Sequence, residues 1–325
     1  MLRFVLSRIG EAAVVLLIVS VIVFIFIRLL PGDPAMALYG DNIQKMTPAD
    51  QLRIRGNLGL DEPLHIQYTK WLEDVMHGEL GRSYLNGEPV STIIYHAVGP
   101  TVQLMLTGTF LTLLASLLLG SYTGLRHASK TDVVVTVFSY LLMSMPAFYQ
   151  ALLFMLVFSL YFGWFPIAGM GNPHGGFGEW LRHITLPALV LSLSHIGYYI
   201  RLLRNHVLIT KEKDFVRALE ARGVPYLRIV TRHIAPNSVL PFLTYIGMSL
   251  SLTMAGSVVI ETLFSWPGLG MLSLKSALTR DYPVLFAVIL LGTFVVIIGS
   301  LLIDLFCAWF NPRIRRQLVK EGAAS

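Results

Sequence analysis

Long runs of apolar residues, separated by shorter polar stretches, make up most of this chain. About 20 consecutive apolar residues are enough for a helix to cross the hydrocarbon core of a bilayer. Six runs reach that length, at 11–30, 99–124, 133–162, 184–203, 238–262 and 283–308. The pattern therefore predicts an all-α integral membrane protein with six transmembrane helices.

The stretch between the first and second runs is polar but has helix signals of its own. Thr47, Pro48 and Asp50 are typical of a helix start, as a cap, a first-turn proline and a capping-box acid. A second helix is predicted to end near Gly78, and its apolar residues share one face: Leu64, Tyr68, Trp71, Leu72, Val75 and Met76. We therefore expect a small folded insert whose apolar face packs on the membrane domain or within the insert, rather than on a ligand.

The longest polar and basic stretch between two runs is 201–241. Side chains recur there at i, i+3 and i+4 in two groups, one being Phe215, Ala218 and Leu219 and the other Tyr226, Ile229, Val230 and His233. Gly223 tolerates a positive φ angle, and Pro225 can open a helix at its first position. The stretch is predicted to form two short helices around a bend, a shape suited to docking on another protein.

Composition supports the membrane class, because 54% of the 325 residues are hydrophobic and only 14% are charged. The net charge of +6 comes from basic residues beside the runs, where they set topology rather than bind nucleic acid. The short loops on one side carry only Arg182, Lys275 and Arg280, so both termini and 201–241 are predicted to be cytoplasmic. A single cysteine, Cys307, excludes an internal disulfide and a cysteine-cluster metal site.

These patterns divide the chain into four predicted parts. The first run is too long for the apolar region of a signal peptide, so 1–30 is expected to be an N-terminal segment with a retained first helix. The extracytoplasmic insert occupies 31–98. A five-helix membrane core follows at 99–312, with a cytoplasmic loop at 205–237 and a cytoplasmic tail at 313–325.

Two groups of residues within the runs predict local features. Ser116, Gly120 and Gly124 form a small-residue face, which allows a second helix to approach closely. The other group consists of Ser144, Met145 and Pro146. It is expected to bend the third helix, since a proline frees a backbone carbonyl group.

Ionisable residues inside a membrane are functional candidates by default. Four of them lie near the ends of runs, where pairing or extension to the surface suffices: Glu11, Arg28, Glu261 and Asp304. His195 lies deeper, in the fourth run. It either faces a transport pathway or makes a hydrogen bond between helices, and the second interpretation is favoured.

Several catalytic motifs are missing from the sequence. It has no G-x-x-x-x-G-K-[ST] phosphate loop, no H-E-x-x-H and no G-x-S-x-G. The chain is therefore not expected to be an enzyme, to bind ATP or another cofactor, or to hold a metal ion.

Short motifs identify a family that the chain resembles. RALEARG at 217–223, followed by Pro236, resembles the EAA loop of permeases of binding-protein-dependent ABC importers. Other motifs resemble the dipeptide, oligopeptide and nickel branch, in the same order over nearly the whole chain: LPGDP at Leu30, LGLDEPL at Leu58, GELGRSY at Gly78, SMPAF at Ser144, GWFP at Gly163, ETLFSWPGLG at Glu261, RDYP at Arg280 and NPRIR at Asn311. The chain departs from the common pattern at four positions, none of which threatens docking: Arg217, Leu219, Pro236 and Asn311.

The resemblance implies a type I ABC importer permease fold in which loop 205–237 docks on a separate ATPase subunit. It assigns this coupling to Phe215, Arg217, Ala218, Leu219, Glu220, Ala221, Arg222, Gly223 and Tyr226. Phe215, Leu219 and Tyr226 are expected to be the apolar anchors, with the charged residues at the rim. A translocation path is expected at Ser144, Met145, Pro146 and His195.

The resemblance also implies partners and a location. The chain would be a multi-pass permease of the bacterial inner membrane, working with a homologous second permease, two ATPase subunits that bind ATP and Mg, and an external solute-binding protein. In this class the external binding protein makes most of the selection, and within the branch peptide is favoured as the substrate over nickel. Possible nickel ligands near the outer mouth lack tight ligand spacing, namely His174, His183 and Met170. Two other classes stay open: a secondary transporter that works without ATP, and a membrane scaffold or receptor that moves no solute.

Overall fold

The structure is a computed structural model that describes residues 2–29, 47, 53, 62–172, 174–248 and 250–310. Helices account for most of these residues, and the one β-contact among them is an isolated bridge between Arg82 and Pro89. In chain order the helices are α1 (Leu2–Leu29), α2 (Leu64–Met76), α3 (Val90–Leu125), α4 (Lys130–Ser144), α5 (Ala147–Tyr161), α6 (Gly176–Lys211), α7 (Asp214–Ala221), α8 (Tyr226–Ile229), α9 (Ala235–Met248), α10 (Leu250–Leu263), α11 (Leu269–Leu278) and α12 (Tyr282–Phe310). Short π-helical stretches lie at Ser116–Gly120 in α3, at Met155–Tyr161 in α5 and at Val230–Ile234 between α8 and α9.

The described helices confirm an all-α protein of the membrane class. Four of them are long and apolar enough to cross a bilayer, namely α1, α3, α6 and α12. Helices α4 and α5 reach that length only together, and they are bent by 105° relative to each other. The count of six spans stays a prediction, because run 238–262 is divided between α9 and α10, each only 14 residues long.

Helix α6 lies at the centre of the molecule and packs closely on α3. A Cβ atom added at Gly120 would lie 2.8 Å from the carbonyl oxygen of Ile200, and one added at Gly124 would lie 2.7 Å from Cβ of Val207. Ser116 is fully buried on the same side of α3. The predicted small-residue face is therefore confirmed, and it brings the backbones of α3 and α6 together.

Polar contacts fix α4 to the same central helix. The Arg204 guanidinium donates two hydrogen bonds to the Asp132 carboxylate, of 2.5 Å from Nε and 2.8 Å from Nη2. Asp132 lies in the first turn of α4, where its own N–H donates to the Ser129 hydroxyl at 3.2 Å. Such a capping arrangement holds the start of α4 and turns its carboxylate towards α6.

The two ends of α6 define the two ends of the helical body. The end that leads into α7 and α8 is called the basic end, and the opposite end, where the glycine-rich loop 162–172 precedes α6, is called the glycine-rich end. The apolar core is divided accordingly. One cluster near the glycine-rich end includes Leu104, Ile184 and Trp266, and a second near the basic end includes Leu203, Ile229 and Phe242.

Glu261 lies near the end of α10, as predicted, but inside the protein. It is fully buried, and its carboxylate accepts hydrogen bonds from the Thr101 hydroxyl at 2.8 Å and from the Met271 N–H at 3.0 Å. The indole of Trp266 donates to the carbonyl oxygen of Pro100 at 2.8 Å, next to Thr101. Of the two expected arrangements, pairing and extension to the surface, the structure shows pairing, because α3 and the first turn of α11 enclose the carboxylate and supply its donors.

The insert contributes one described helix and one extended loop. Helix α2 confirms the predicted helix ending near Gly78, and its Tyr68 and Trp71 rings pack on Phe24 of α1 with centroids 5.4 and 5.8 Å away. Helix α3 already begins at Val90, before the predicted start of the second run at residue 99. The division of the chain at residue 98 stays a prediction.

The loop before α3 is bonded to the loop before α12. The Ser83 hydroxyl donates to Asp281 Oδ2 at 2.5 Å, and the Tyr84 N–H donates to Asp281 Oδ1 at 3.0 Å. Ser83 and Asp281 are both buried. The GELGRSY and RDYP motifs are therefore in contact with each other in the folded chain.

Several sequence predictions lie outside the described residues. They concern the capping signals Pro48 and Asp50, the motifs at Leu30, Leu58 and Asn311, the tail 313–325, and the side chains of Arg28, Asp304 and Cys307.

Candidate functional site

The predicted helix pair is present at the basic end, as α7 and α8. Helix α7 closes with two hydrogen bonds that satisfy its last carbonyl groups, from the Gly223 N–H to Glu220 at 2.9 Å and from the Val224 N–H to Leu219 at 3.1 Å. This is the Schellman arrangement, which needs a left-handed residue just after the helix. Pro225 lies one residue before the first residue of α8, in the cap position rather than the first helical position.

Gly223 is the left-handed residue at this bend. Its φ angle is +72°, in a region that is unfavourable for residues with a Cβ atom. No other atom lies within 4 Å of where a Cβ atom would be placed. Glycine is therefore needed here for its backbone conformation and not for space.

Apolar side chains fix the helix pair to the membrane helices. Val216 of α7 and Ile229 of α8 are buried in one cluster with Leu203 and Val207 of α6 and Phe242 of α9. Ile229 is 0% exposed. The helix pair, α6 and α9 therefore share one close-packed core.

The opposite face of the helix pair exposes large apolar side chains. Phe215 is 39% exposed and Tyr226 is 50% exposed, whereas Leu219 is half-buried against the same core cluster as Val216. Leu227, which the sequence argument did not select, is 74% exposed. Its position beside Tyr226 was a usable signal, but it lies off the i, i+3, i+4 pattern that guided the prediction.

Exposed polar and small residues surround the apolar ones. The structure places all six of the remaining coupling candidates on the surface: Arg217, Ala218, Glu220, Ala221, Arg222 and Gly223. Within the described part of the chain, the side chains of Arg217, Glu220, Arg222 and Arg228 form no ion pair. The surface formed by Phe215, Tyr226, Leu227 and these neighbours is called the coupling surface.

The predicted bend in the third run is present at Met145 and Pro146, between α4 and α5. The side-chain amide of the buried Gln150 donates to the carbonyl oxygens of Leu142 at 2.8 Å and Met145 at 3.0 Å. The bond to Met145 supplies a donor for a carbonyl group at the break of the helix, whereas the Leu142 carbonyl oxygen also accepts the Met145 N–H at 3.3 Å. Sequence reasoning did not identify Gln150, which lies one turn beyond the proline.

The four path candidates are divided between two places. Ser144, Met145 and Pro146 lie at the bend, where the Ser144 hydroxyl donates to the carbonyl oxygen of Tyr140 at 2.9 Å. The half-buried His195 bonds through Nδ1 to the carbonyl oxygen of Leu191 at 3.1 Å, one turn earlier in α6. This bond lies within one helix, so it differs from the favoured interhelical bond.

No group of three or more His, Cys, Asp and Glu side chains in the described ranges is arranged to hold a metal ion.

Comparison with known families matches almost the whole chain. Residues 116–316 match the model of the binding-protein-dependent transport system inner membrane component. Residues 1–105 match the model of the N-terminal part of the binding-protein-dependent transport system membrane component.

Curated proteins match at full length. A putative peptide permease protein of Brucella ovis is 38% identical over 97% of this chain and 99% of its own length. A putative peptide transport system permease protein of Brucella abortus is 35% identical, with the same two coverages. The oligopeptide transport system permease protein AppB of Bacillus subtilis is 33% identical, again over 97% of this chain and 99% of that protein.

Proposed function

Because this chain belongs to the family of binding-protein-dependent transport system inner membrane components, we propose that it is a membrane-spanning permease subunit of an ATP-driven importer. It forms the translocation path together with a homologous second permease. The assignment rests on matches that extend over nearly the whole chain.

The proposed substrate is a peptide. The relatives from Brucella and Bacillus are named as peptide or oligopeptide permeases, and they match this chain from end to end. Their names support peptide and give no support to nickel, the alternative within the same branch.

The proposed partners supply binding and energy. An external solute-binding protein delivers the peptide, and two ATPase subunits bind ATP and Mg, for which this chain has no phosphate loop. The excess of basic residues in loop 205–237 and beside the runs supports an inner-membrane orientation with both termini in the cytoplasm.

The coupling surface is proposed to dock on an ATPase subunit. The observation that carries this proposal is the two-sided helix pair, with Val216 and Ile229 buried in the core and Phe215 and Tyr226 exposed on the other face. Exposed aromatic side chains at the centre of an interface are typical of residues that contribute most to binding. Closure of the ATPases on ATP then moves the helix pair, and with it α6 and α9.

The energy that drives this motion is a difference between two states. An ATPase subunit shifts the permease between its inward-open and outward-open forms only by as much as it binds one form more tightly than the other. Arg217, Glu220, Arg222 and Arg228 are proposed to set the register and rate of docking, because rim charges affect these more than affinity.

The path is proposed to pass the bend between α4 and α5 and the half-buried His195 of α6. Ser144 and Pro146 are exposed at the bend, which supports their contact with substrate.

Reconstitution tests the proposed function. Proteoliposomes containing this chain, its second permease and its ATPases should accumulate a labelled short peptide only when ATP is inside and the solute-binding protein is outside. Accumulation that persists without ATP would identify a secondary transporter. Absence of transport with every partner set, although the complex assembles, would support a scaffold.

A further inference from the structure

A cavity of about 550 Å³ lies at the glycine-rich end, between the end of α5 and the first turns of α6. Ser159 and Phe165 line one side, and Glu179, Arg182 and His183 line the other. Ligand pockets for small molecules have volumes of roughly 300–1,000 Å³ and combine apolar walls with a few polar groups. The cavity is therefore large enough for a short peptide.

The carboxylate of Glu179 is held in place by the loop in front of it. Its Oε1 atom accepts a hydrogen bond from the Asn172 N–H at 2.7 Å. The ring of His183 bonds through Nδ1 to the carbonyl oxygen of Glu179 at 2.9 Å, so His183 donates from that nitrogen. Both side chains therefore have fixed partners on the wall of the cavity.

Arg182 has no such partner. It is exposed, and within the described part of the chain its guanidinium makes neither a hydrogen bond nor an ion pair. Glu179 lies three residues earlier on the same helix, at a spacing where opposite charges commonly pair. The carboxylate of Glu179 is instead bonded to the loop, which leaves a cation and an anion lining one cavity without a bond between them.

This pair of charges matches the two ends of a free peptide. A peptide of two or three residues carries an ammonium group and a carboxylate group that are roughly 7–10 Å apart when the chain is extended. Side chains at positions i and i+3 of a helix begin about 5–6 Å apart at Cβ, and both Glu and Arg are long enough to widen that distance. A guanidinium also binds a carboxylate through two parallel hydrogen bonds, which an ammonium group cannot do.

We propose that the cavity at the glycine-rich end binds a short peptide by its two termini, with Arg182 at the carboxylate and Glu179 at the ammonium group. This inference rests on the proposed function, since it assumes that the importer carries peptides. It adds a binding site on the permease itself, at the end of the molecule opposite the coupling surface. Selection by length and by free termini would then occur on this chain as well as on its solute-binding protein.

Peptides with blocked ends test the proposal. The full chain is purified in lipid nanodiscs, and binding is measured by calorimetry for trialanine, N-acetyl-trialanine and trialanine amide. Free trialanine should bind, and either blocking group should weaken binding at least tenfold, because a charged partner is then left without its ligand group.

Substitutions assign each end of the peptide to one residue. R182Q should weaken binding of free trialanine at least tenfold and remove the difference between the free and the amidated peptide. E179Q should weaken binding of free trialanine at least tenfold and remove the difference between the free and the acetylated peptide. The side-chain amide oxygen introduced by E179Q can still accept the Asn172 N–H. K275Q, which removes one exposed positive charge of α11 outside the cavity, should leave all three affinities unchanged.

Three results would overturn the proposed site. These are no binding of trialanine to the wild-type chain, equal binding of free and blocked peptides, and unchanged binding in R182Q. Displacement of the peptide by millimolar inorganic phosphate with no effect of amidation would likewise show a simple anion site. If ATP-driven peptide uptake continues in those cases, only the site is wrong, whereas loss of uptake in the complete wild-type assembly contradicts the proposed function.

Discussion

At the scale of single residues, the bend of the coupling loop depends on one backbone conformation. Gly223 combines a φ angle of +72° with open space around its Cα atom. A side chain at this position therefore causes strain of the backbone and no steric clash. Asparagine tolerates the left-handed region far better than a β-branched residue does.

Gly223→Val should strain the bend by about 1–2 kcal/mol, whereas Gly223→Asn should cost less. The expected result for the valine variant is a lower uptake of peptide per ATP hydrolysed, with normal expression, because the docking faces of α7 and α8 change their relative angle. The measurement is the ratio of uptake to ATP hydrolysis in proteoliposomes. Equal ratios in the wild type and the valine variant would contradict the role of the bend.

Glu261 shows a different effect at the residue scale, in which one buried carboxylate accepts hydrogen bonds from several donors, Thr101 and Met271 among them. Glu261→Ala should leave the Thr101 hydroxyl and the Met271 N–H without their acceptor, at a cost of about 1–3 kcal/mol for each buried group. The expected outcome is a clearly lower thermal unfolding midpoint in detergent. Glu79→Ala, at an exposed glutamate, is the matched control and should leave the midpoint unchanged. A Glu261 variant as stable as the control would show that the two donors find other partners.

At the scale of helices, the contact between α3 and α6 is set by small residues. Gly120 and Gly124 allow backbone atoms of α6 to approach to distances that a methyl group would occupy. Gly99 lies on the same helix α3, but a Cβ atom there would meet nothing within 4 Å. Gly99 is therefore a control position, on the same helix, for substitutions at Gly120 and Gly124.

Gly120→Ala should destabilise the protein by about 1–3 kcal/mol, since the added methyl group forces the two helices apart. Gly99→Ala should be neutral or stabilise by up to about 1 kcal/mol, because alanine favours a helix more than glycine does. Thermal unfolding of the two variants in the same detergent measures the difference. Similar midpoints would mean that α6 can move away without loss of packing.

The pairing of α4 with α6 depends on a bidentate ion pair. Asp132→Asn and Arg204→Gln should each destabilise by about 1–3 kcal/mol, because each removes a charge-assisted pair of hydrogen bonds between α4 and α6. The double variant should cost less than the sum of the two single variants. Unfolding midpoints of the three variants and the wild type form the required cycle, and strict additivity would exclude a direct interaction.

At the scale of the whole molecule, the coupling surface and the core behind it have separate roles. Phe215 and Tyr226 are exposed, so replacing both with alanine should lower ATP-driven uptake at least tenfold while the unfolding midpoint of the isolated chain stays unchanged. Val216→Ala should instead lower that midpoint, because the lost core packing reduces the free energy of unfolding by about 1–3 kcal/mol. Binding of the ATPase subunit, measured by co-purification, should be lost only in the double variant. Retained uptake in the double variant would place the docking contact elsewhere.

The helix pair α7 and α8 could be predicted because its signals are local. Gly223 and Pro225 mark the bend, and the spacing of apolar residues marks the helices on both sides. The division of that pattern into a buried and an exposed face could not be predicted. It depends on where Leu203 and Phe242 lie, and these residues belong to helices that are adjacent only in the folded chain.

Two buried polar side chains show the same limit. Gln150 stabilises the bend by reaching back to Leu142 and Met145, and Thr101 meets Glu261 across 160 residues of sequence. Apolar runs, basic flanks and motifs such as ETLFSWPGLG do not show which donor a carboxylate or carbonyl group will find.

The sequence by itself determined the membrane class, the helix pair at the basic end and the resemblance to importer permeases, because hydrophobic length, charge position and short motifs are local properties. The tertiary structure decided which residues of the coupling loop are free to bind a partner, how sharply the third run bends, and that Glu179 and Arg182 line one cavity. These features depend on contacts between distant helices, and a one-dimensional pattern does not contain them.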